Sequence, residues 1–356
     1  MRSLHRTSIS LVVAALLPAC GDSGPGETGA GATSASASAT SASTSGGSSG
    51  DASGGPTTTG DGGTASSGDA SSATSGADTT GGVTTTTTQG TGGSERESDT
   101  SPPGQGACGS DDPAPGLWCP PPGTSWQWQI DGEAIDTSFD VAMYDVDLFE
   151  LTDAELATLK GAGRAVICYF SAGSYEEWRP DAGDFPMAAL GDPLDGWPGE
   201  RWLDIRDPGV RAVQAARMDL AQSRGCDGVE PDNVDGFLNA TGFPLSADDQ
   251  LEFNLWLASE AHARGLSVGL KNDLEQIPEL SPAFDWALDE ECAAYDECDL
   301  LSPFIDQGKA VFHVEYVDDI ADGPALADAV CPGALALGFS TLIKEWSLGP
   351  WRIACG

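Results

Sequence analysis

Basic side chains are scarce in this 356-residue sequence: 16 Lys and Arg stand against 55 Asp and Glu, for a formal net charge of −39. That excludes a general nucleic-acid binder, because phosphate recognition needs clustered cations that release counterions. It also excludes docking on anionic lipid through a basic patch. Histidine is nearly absent too, with only His5, His262 and His313, so a His-rich zinc centre is excluded by count. No Cys-x-x-Cys pair occurs, and the Trp-bearing part of the chain has no Gly-x-Ser-x-Gly turn and no Gly-rich phosphate turn after an early strand. A thiolate metal cluster, a nucleophile-elbow hydrolase and a dinucleotide fold lose their signatures together. Large apolar residues are missing from Gly21 to Gly106, apart from Val83. A segment that poor in apolar surface cannot offset the entropy of folding.

What is present divides the chain into three. Residues 1–20 read as an export signal: Met1-Arg2-Ser3-Leu4-His5-Arg6, an apolar run from Ile9 to Leu17, then Leu17-Pro18-Ala19-Cys20. The run is too short to span a bilayer, which takes roughly 20 apolar residues. Leu-Pro-Ala-Cys resembles the lipobox of bacterial lipoproteins, which implies lipidation at Cys20 and an exported protein anchored to the membrane or cell surface. Residues 21–106 are a Ser/Thr/Gly-rich tract, expected to be a disordered stalk whose ~85 residues reach roughly 50 Å. Residues 107–356 carry all ten Trp, Trp118 to Trp351, and are expected to fold.

The acidic excess sits in that last part. Residues 1–100 hold 9 acidic and 3 basic side chains, leaving 46 and 13, a net −33, for the rest. Such a domain attracts cations, so a metal, a polyamine or a cationic polymer is a partner to weigh beside plain solubility or a salty habitat. Eight Cys besides Cys20 form an even set in an exported chain, the composition of a disulfide framework. Proximity favours Cys108–Cys119, Cys292–Cys298 and Cys331–Cys355, with Cys168–Cys226 left as the fourth.

From Trp126 onward short apolar runs alternate with helical stretches. The strands are expected at 126–130, 141–146, 165–171, 228–233, 266–272, 285–290, 310–316 and 334–340. Helices read clearest at 152–160, 208–224 and 246–264; Asp207-Pro208 and Ser246 mark two starts, and Gly265 a stop. Eight strand–helix units in this length predict an α/β fold, a (β/α)8 TIM barrel, with an open doubly wound sheet as the alternative. Between Ser171 and Pro208 lies a long connection with Trp178, Trp197 and Trp202 and no clear element. A loop of that kind belongs over a site or packs on itself, and its Trp faces suit sugar rings or internal packing alike.

Barrel sites lie at the C-terminal strand ends, and here those ends are acidic: Asp145, Glu230-Pro231-Asp232-Asn233, Lys271-Asn272-Asp273, Asp289-Glu290-Glu291 and Glu315-Tyr316. A period of two puts Glu230 and Asp232 on one face, and on strand six it selects either Glu290 or the pair Asp289 and Glu291. Several carboxylates with almost no histidine suit glycoside hydrolysis, which needs one carboxylic acid and one carboxylate across the bond. Oxygen ligation of Ca²⁺ or Mg²⁺ is the competing chemistry, although no EF-hand loop follows Asp232. His313 reads as a hydrogen-bonded interior residue and His262 as a helix-surface one.

The segments Cys168-Tyr169-Phe170-Ser171-Ala172-Gly173-Ser174-Tyr175-Glu176-Glu177-Trp178, Trp202-Leu203-Asp204-Ile205-Arg206 and Gly228-Val229-Glu230-Pro231-Asp232-Asn233-Val234-Asp235-Gly236 resemble glycoside hydrolase family 114. Leu270-Lys271-Asn272-Asp273 and Glu290-Glu291-Cys292 with Glu297-Cys298 fall in the same order, so the resemblance covers about Trp126 to Ser347. It implies a TIM barrel with endo-α-1,4-polygalactosaminidase activity on a galactosaminogalactan-like polysaccharide. Its catalytic pair would be Asp232 and Glu290, which breaks the tie on strand six. Asp232 is then expected as nucleophile or charge stabiliser and Glu290 as the proton donor, its carboxyl raised by crowded acids. Asp145, Tyr169, Glu230, Asn233, Lys271, Asn272, Glu315, Tyr316 and Trp178 are the expected substrate contacts. Lys271 serves equally as a structural ion pair. Neither a cofactor nor a metal is implied, and a monomer is expected. A non-catalytic carbohydrate-binding or adhesion lipoprotein on the same barrel is the alternative. Whether the anomeric configuration is retained stays open at this point.

Overall fold

A computed structural model describes residues 107–110 and 115–356. The expected signal segment, Cys20 and the Ser/Thr/Gly tract lie outside the described residues. In chain order the strands are β1 (Trp126–Gln129), β2 (Met143–Asp147), β3 (Ala165–Ser171), β4 (Ser174–Glu176), β5 (Leu190–Pro193), β6 (Glu200–Leu203), β7 (Gly228–Asp232), β8 (Ser267–Lys271), β9 (Trp286–Glu290), β10 (Val311–Val317), β11 (Ser340–Glu345) and β12 (Ile353–Ala354). The α-helices are α1 (Asp153–Gly161), α2 (Pro208–Arg224), α3 (Ala247–Ala263), α4 (Ile277–Leu280), α5 (Cys292–Tyr295), α6 (Ser302–Asp306) and α7 (Gly323–Ala336).

The main sheet runs β1-β2-β3-β7-β8-β9-β10-β11-β12. Its first eight strands pair in parallel, and β12 alone returns antiparallel to β11. The fold is thus a mixed α/β, TIM-barrel-like curled sheet of nine strands, where a sheet of eight was expected. Nearly every strand residue is buried, as in parallel sheets covered on both faces. Helix starts follow the chemistry read from the sequence. Thr152 and Ser246 close capping boxes with Glu155 and Asp249, and Asp207 caps Gly209 ahead of Pro208.

One face of each strand looks inward. Trp126, Met143, Ile167, Trp286, Leu288, Phe312, Val314 and Leu342 join in one apolar cluster, and two residues further along the same strands come Trp128, Asp145, Tyr169, Glu290 and Lys344. The interior is apolar at its base and charged at its mouth. Gly269 makes room for the base: a Cβ there would lie 2.1 Å from the Trp286 ring.

The first and last parallel strands meet through side chains. The Trp126 indole donates to the Ser340 carbonyl at 2.8 Å, Lys344 Nζ to the Trp128 carbonyl at 2.7 Å, and Arg352 to the Trp126 carbonyl. Lys344 also donates to the Gly349 carbonyl. Four disulfides brace the unit, Cys108–Cys119, Cys168–Cys226, Cys292–Cys298 and Cys331–Cys355.

Two expectations are corrected. The eighth strand is Ser340–Glu345, not 334–340, because the apolar Ala334–Ala336 stretch closes α7 instead. A strand ending in Lys344-Glu345 looks like a loop in sequence, yet the carbonyls of Trp128 in β1 and of Gly349 make the lysine welcome. The 171–208 connection has structure of its own, the antiparallel sheet β4-β6-β5. Arg179, bonded to both oxygens of Asp147 and to Glu176, and Arg217, bonded to Asp181, pin it down.

Lys344 is fully buried, so its loss strands two carbonyls. Lys344→Met is expected to cost about 3 kcal/mol of stability, the penalty of two orphaned acceptors. Urea unfolding measures it; a cost below about 1 kcal/mol would mean that other donors reach those carbonyls.

Candidate active site

Three strands end in the same way. Asp232 closes β7, Lys271 closes β8 and Glu290 closes β9, and each is followed by a residue in the left-handed region: Asn233 (φ 60°), Asn272 (φ 51°) and Glu291 (φ 63°). That conformation costs an L-residue about 1 kcal/mol or more, least for Asn. It turns the backbone away at once and leaves the preceding side chain aimed into the mouth. Beside the first of these turns, Gly173 is obligatory, since a Cβ would stand 1.7 Å from the Asn233 carbonyl oxygen.

Lys271 is the centre of the arrangement. Its ammonium, 3% exposed, lies 3.0 Å from Asp232 Oδ1 and 2.6 Å from Glu290 Oε2. Two oxygens held by one nitrogen at those distances can be no more than 5.6 Å apart. The other partners fix each carboxylate. Tyr169 donates to Asp232 Oδ2 at 3.1 Å, and the Asn233 backbone N–H donates to Oδ1 at 2.7 Å. Tyr316 donates to Glu290 Oε1, Asn272 Nδ2 donates to Oε2 at 3.2 Å, and Asn272 Oδ1 accepts from the Glu290 backbone. The Trp128 ring faces Lys271, 5.5 Å from its centroid to Nζ.

Burial would raise the Glu290 carboxyl, but the Lys271 charge and the bonds from Lys271, Tyr316 and Asn272 outweigh it and hold it below its ordinary value. The expectation that crowding raises Glu290 is therefore corrected for the empty site. The raised carboxyls lie around it. Burial, then the charge of Glu290, pushes Asp289 well up, and the same two causes raise Glu291.

Beneath the triad sit Asp145 and Glu230, both fully buried. The Trp128 indole donates to Glu230 Oε2 at 3.1 Å, while both Asp145 oxygens and Glu230 Oε1 have no donor among the described residues. Two carboxyl groups set against each other satisfy those oxygens when one carries a proton. Burial accordingly pushes Asp145 up to about 7 and, with the Asp145 charge, Glu230 well above its usual range.

Asp232, Glu290, Tyr169, Asn233, Lys271 and Asn272 line a cavity of 260 Å³, which Trp128, Trp197, Glu200 and Trp202 complete. A second, of 540 Å³, shares Tyr169, Trp197 and Glu200 with it and is walled by Trp178 and Trp346. Trp346 stacks on Tyr316 at 4.1 Å, so Tyr316 reaches both Glu290 and the aromatic wall. Four expected contacts do not line either cavity: Tyr316, which meets the site only through Glu290 and Trp346, and three others. Asp145 and Glu230 lie below the first cavity, and Glu315, one residue out of phase with Tyr316, faces the helix layer. Its carboxylate accepts from His313 at 3.0 Å and from the backbone N–H groups of Ala293 and Ala294, at 2.8 and 3.2 Å. Sequence reasoning missed Trp128, Glu200 and Trp346; Trp128, two residues before the expected end of the first strand, was the findable one.

A family model for glycoside-hydrolase family GH114 matches residues 110–356. The crystal structure of Aspergillus fumigatus Ega3 in complex with galactosamine is 45% identical to the chain with a TM-score of 0.65, covering 67% of this chain and 97% of that one. The glycoside hydrolase domain of PelA from Pseudomonas aeruginosa is 16% identical with a TM-score of 0.51, covering 65% of this chain and 98% of that one, a likeness of fold alone. No curated protein sequence matches.

The buried pair gives stability a pH dependence. Asp145 titrates near 3.9 when unfolded and at about 7 in the fold. Its contribution is full below the lower value and is lost as pH rises to the upper one. The wild type is expected to lose on the order of 2–4 kcal/mol between pH 4 and pH 8 through this pair, and the double variant Asp145→Asn/Glu230→Gln to remove most of that loss. Thermal unfolding of both proteins across the range tests it; parallel curves would place the titration elsewhere.

Proposed function

The chain belongs to glycoside-hydrolase family GH114 and is a glycoside hydrolase, and from that premise we propose that it cuts a cationic, galactosaminogalactan-like polysaccharide with Asp232 and Glu290 as its catalytic pair. The observation that carries the reading is the shared ammonium of Lys271, which holds one oxygen of each carboxylate within 5.6 Å of the other at the floor of a Trp-walled cavity. A carboxyl separation of ~5–5.5 Å belongs to retaining glycosidases, whereas inverting ones need ~6.5–9.5 Å to admit a water. The reaction therefore runs with retention.

In the first step Asp232 attacks the anomeric carbon while Glu290 protonates the departing glycosidic oxygen. In the second, Glu290 takes a proton from water as the water displaces Asp232. Glu290 is ionised in the empty site, so substrate has to draw Lys271 away from it. Lys271 then stays with Asp232, and Glu290, left beside Asp289 and Glu291, becomes the favoured place for the proton. Tyr316 and Asn272 hold its orientation through the change.

Two facts support a positively charged sugar. The similar Ega3 structure contains galactosamine, and the folded part of this chain carries a formal −33. We read the curled sheet as a (β/α)8 barrel whose seam is closed by Lys344, Arg352 and Trp126. The lipobox Cys20 and the Ser/Thr/Gly stalk favour an exported monomer, tethered to the membrane or cell surface, that searches polymer within reach of the stalk.

Incubation with a deacetylated α-1,4-galactosamine polymer is expected to release reducing ends. Asp232→Asn and Glu290→Gln are each expected to lower the rate by about 10²–10⁴. Azide should rescue Glu290→Gln to a glycosyl azide of retained configuration, and Asp232→Asn to an inverted one. Near-full activity in both variants overturns the pair, an exchange of the two azide products reverses the roles, and polymer binding without new reducing ends makes the protein a binder.

A further inference from the structure

Buried carboxylates near the mouth of this sheet come with cations. Asp147 has Arg179, Glu176 has Arg179 and Arg217, and Asp232 and Glu290 share Lys271. Among the buried carboxylates that line the two cavities, Glu200 is the exception. It is 8% exposed, yet no Lys or Arg among the described residues lies within ion-pair distance of it. Arg179, which acts on it from further off, is committed to Asp147 and Glu176. Asp145 and Glu230 also lack a cation, but they face each other below the floor. Glu200 lines both cavities and stands where they meet. A buried carboxylate is costly without a compensating charge, and here the open side is the substrate side.

Its one side-chain hydrogen bond starts a chain. Ser174 Oγ donates to Glu200 Oε2 at 2.7 Å, Ser171 Oγ lies 2.6 Å from Ser174 Oγ, and Asn233 Nδ2 donates to Ser171 Oγ at 2.9 Å. With Ser171 donating to Ser174, every donor points towards Glu200, and the far end is the residue that turns Asp232 into the mouth. An ionised Glu200 holds that chain in one direction; a protonated one can reverse only the two serine links, since the Asn233 amide nitrogen always donates.

We propose that Glu200 reads the charge of the substrate: the ammonium group of a 2-amino sugar, lodged where the two cavities meet, supplies the cation that this carboxylate lacks. The proposal rests on the amino-sugar reading above and names the group that enforces it. The empty-site chemistry agrees. Burial first, then the charges of Glu176 and Asp232, push the Glu200 carboxyl up to about 7, while Ser174 and Arg179 oppose them. Buried Tyr169, which lines the same junction, feels the Glu200 charge in turn. A bound ammonium favours the ionised form, so binding at neutral pH expels the proton that the empty site partly holds.

Glu200→Gln keeps an acceptor for Ser174 and removes only the charge. In an Asp232→Asn background, where nothing is cleaved, the affinities of galactosamine and N-acetylgalactosamine oligomers of equal length are measured by calorimetry in two buffers of different ionisation enthalpy. Adding Glu200→Gln is expected to weaken the galactosamine oligomer at least about tenfold and the acetylated one less than twofold. Proton release at pH 7 should accompany only the galactosamine oligomer and vanish with the substitution. Equal weakening of both ligands, or proton release that survives Glu200→Gln, overturns the proposal. Galactosamine-polymer cleavage by the wild type is scored separately, so an enzyme that cleaves it but shows no charge-selective effect at Glu200 sinks this inference alone.

Discussion

One ammonium group organises the mouth of this sheet. Lys271 is 3% exposed and lies in the field of four carboxyls, Asp145, Glu230, Asp232 and Glu290. Desolvation alone would strip its proton, but the surrounding acids more than reverse that and hold it well above its ordinary value. The cation in turn makes the acids tenable. With one positive charge for four carboxyls, the set cannot be fully ionised at this burial, so a proton settles on the pair that Lys271 does not bond, Asp145 with Glu230. The two carboxyls nearest the cavity keep the lysine. Their spacing, the lowered carboxyl of Glu290 and the stereochemistry inferred from the pair all descend from Lys271, as do the demands on its neighbours: Trp128 for a ring face, and Asn272 for a backbone turn directly after the lysine.

Much of this was legible in the sequence because strand periodicity is rigid. Alternation placed Glu230 with Asp232 and put Glu290 in phase with Trp286 and Leu288, which is how the inward face runs. The same rule, applied to Glu315, would have turned it away from the mouth, since it alternates with Tyr316. Its place at an acidic strand end made it a candidate, but its carboxylate serves His313 and the start of α5. Helix starts at Thr152, Asp207 and Ser246 were legible because a cap is a local event. The eighth strand was not, because the burial of Lys344 depends on the Trp128 carbonyl, 216 positions earlier in the chain. The short strands of the insert were invisible for a similar reason. Three or four residues carry too little pattern, and what orders them is Arg179 and Arg217 reaching across to Asp147, Glu176 and Asp181.

That insert changes what the site is. Without β4, β5 and β6 the mouth would be an acidic rim open to water, where charges are screened within about 10 Å. The sheet places Trp197, Trp202 and Glu200 against the cavity and leaves Trp178 half exposed on the far side. Its junction with β7 is tight: Ala172 and Gly173 both donate to the Asp232 carbonyl, and Leu203 donates to that of Gly173. The backbone of the insert and that of the catalytic strand are one hydrogen-bonded unit, so the position of Glu200 relative to Asp232 is set by main chain as well as by the Ser174–Ser171–Asn233 chain.

The acidity of the protein then separates into two effects with different ranges. The formal −33 of the folded part is mostly surface charge, and it can raise the local concentration of a cationic polymer without choosing among its groups. Choice requires a charge that is buried, fixed in direction and not already matched. Asp147, Glu176, Asp232 and Glu290 fail the last condition, because Arg179, Arg217 and Lys271 already answer them. Glu200 alone at the cavity junction meets all three. On the proposed reading, diffuse charge would bring the polymer in and one carboxylate would test each unit for its ammonium. Salt should weaken the first effect far more than the second, since a desolvated pair is poorly screened.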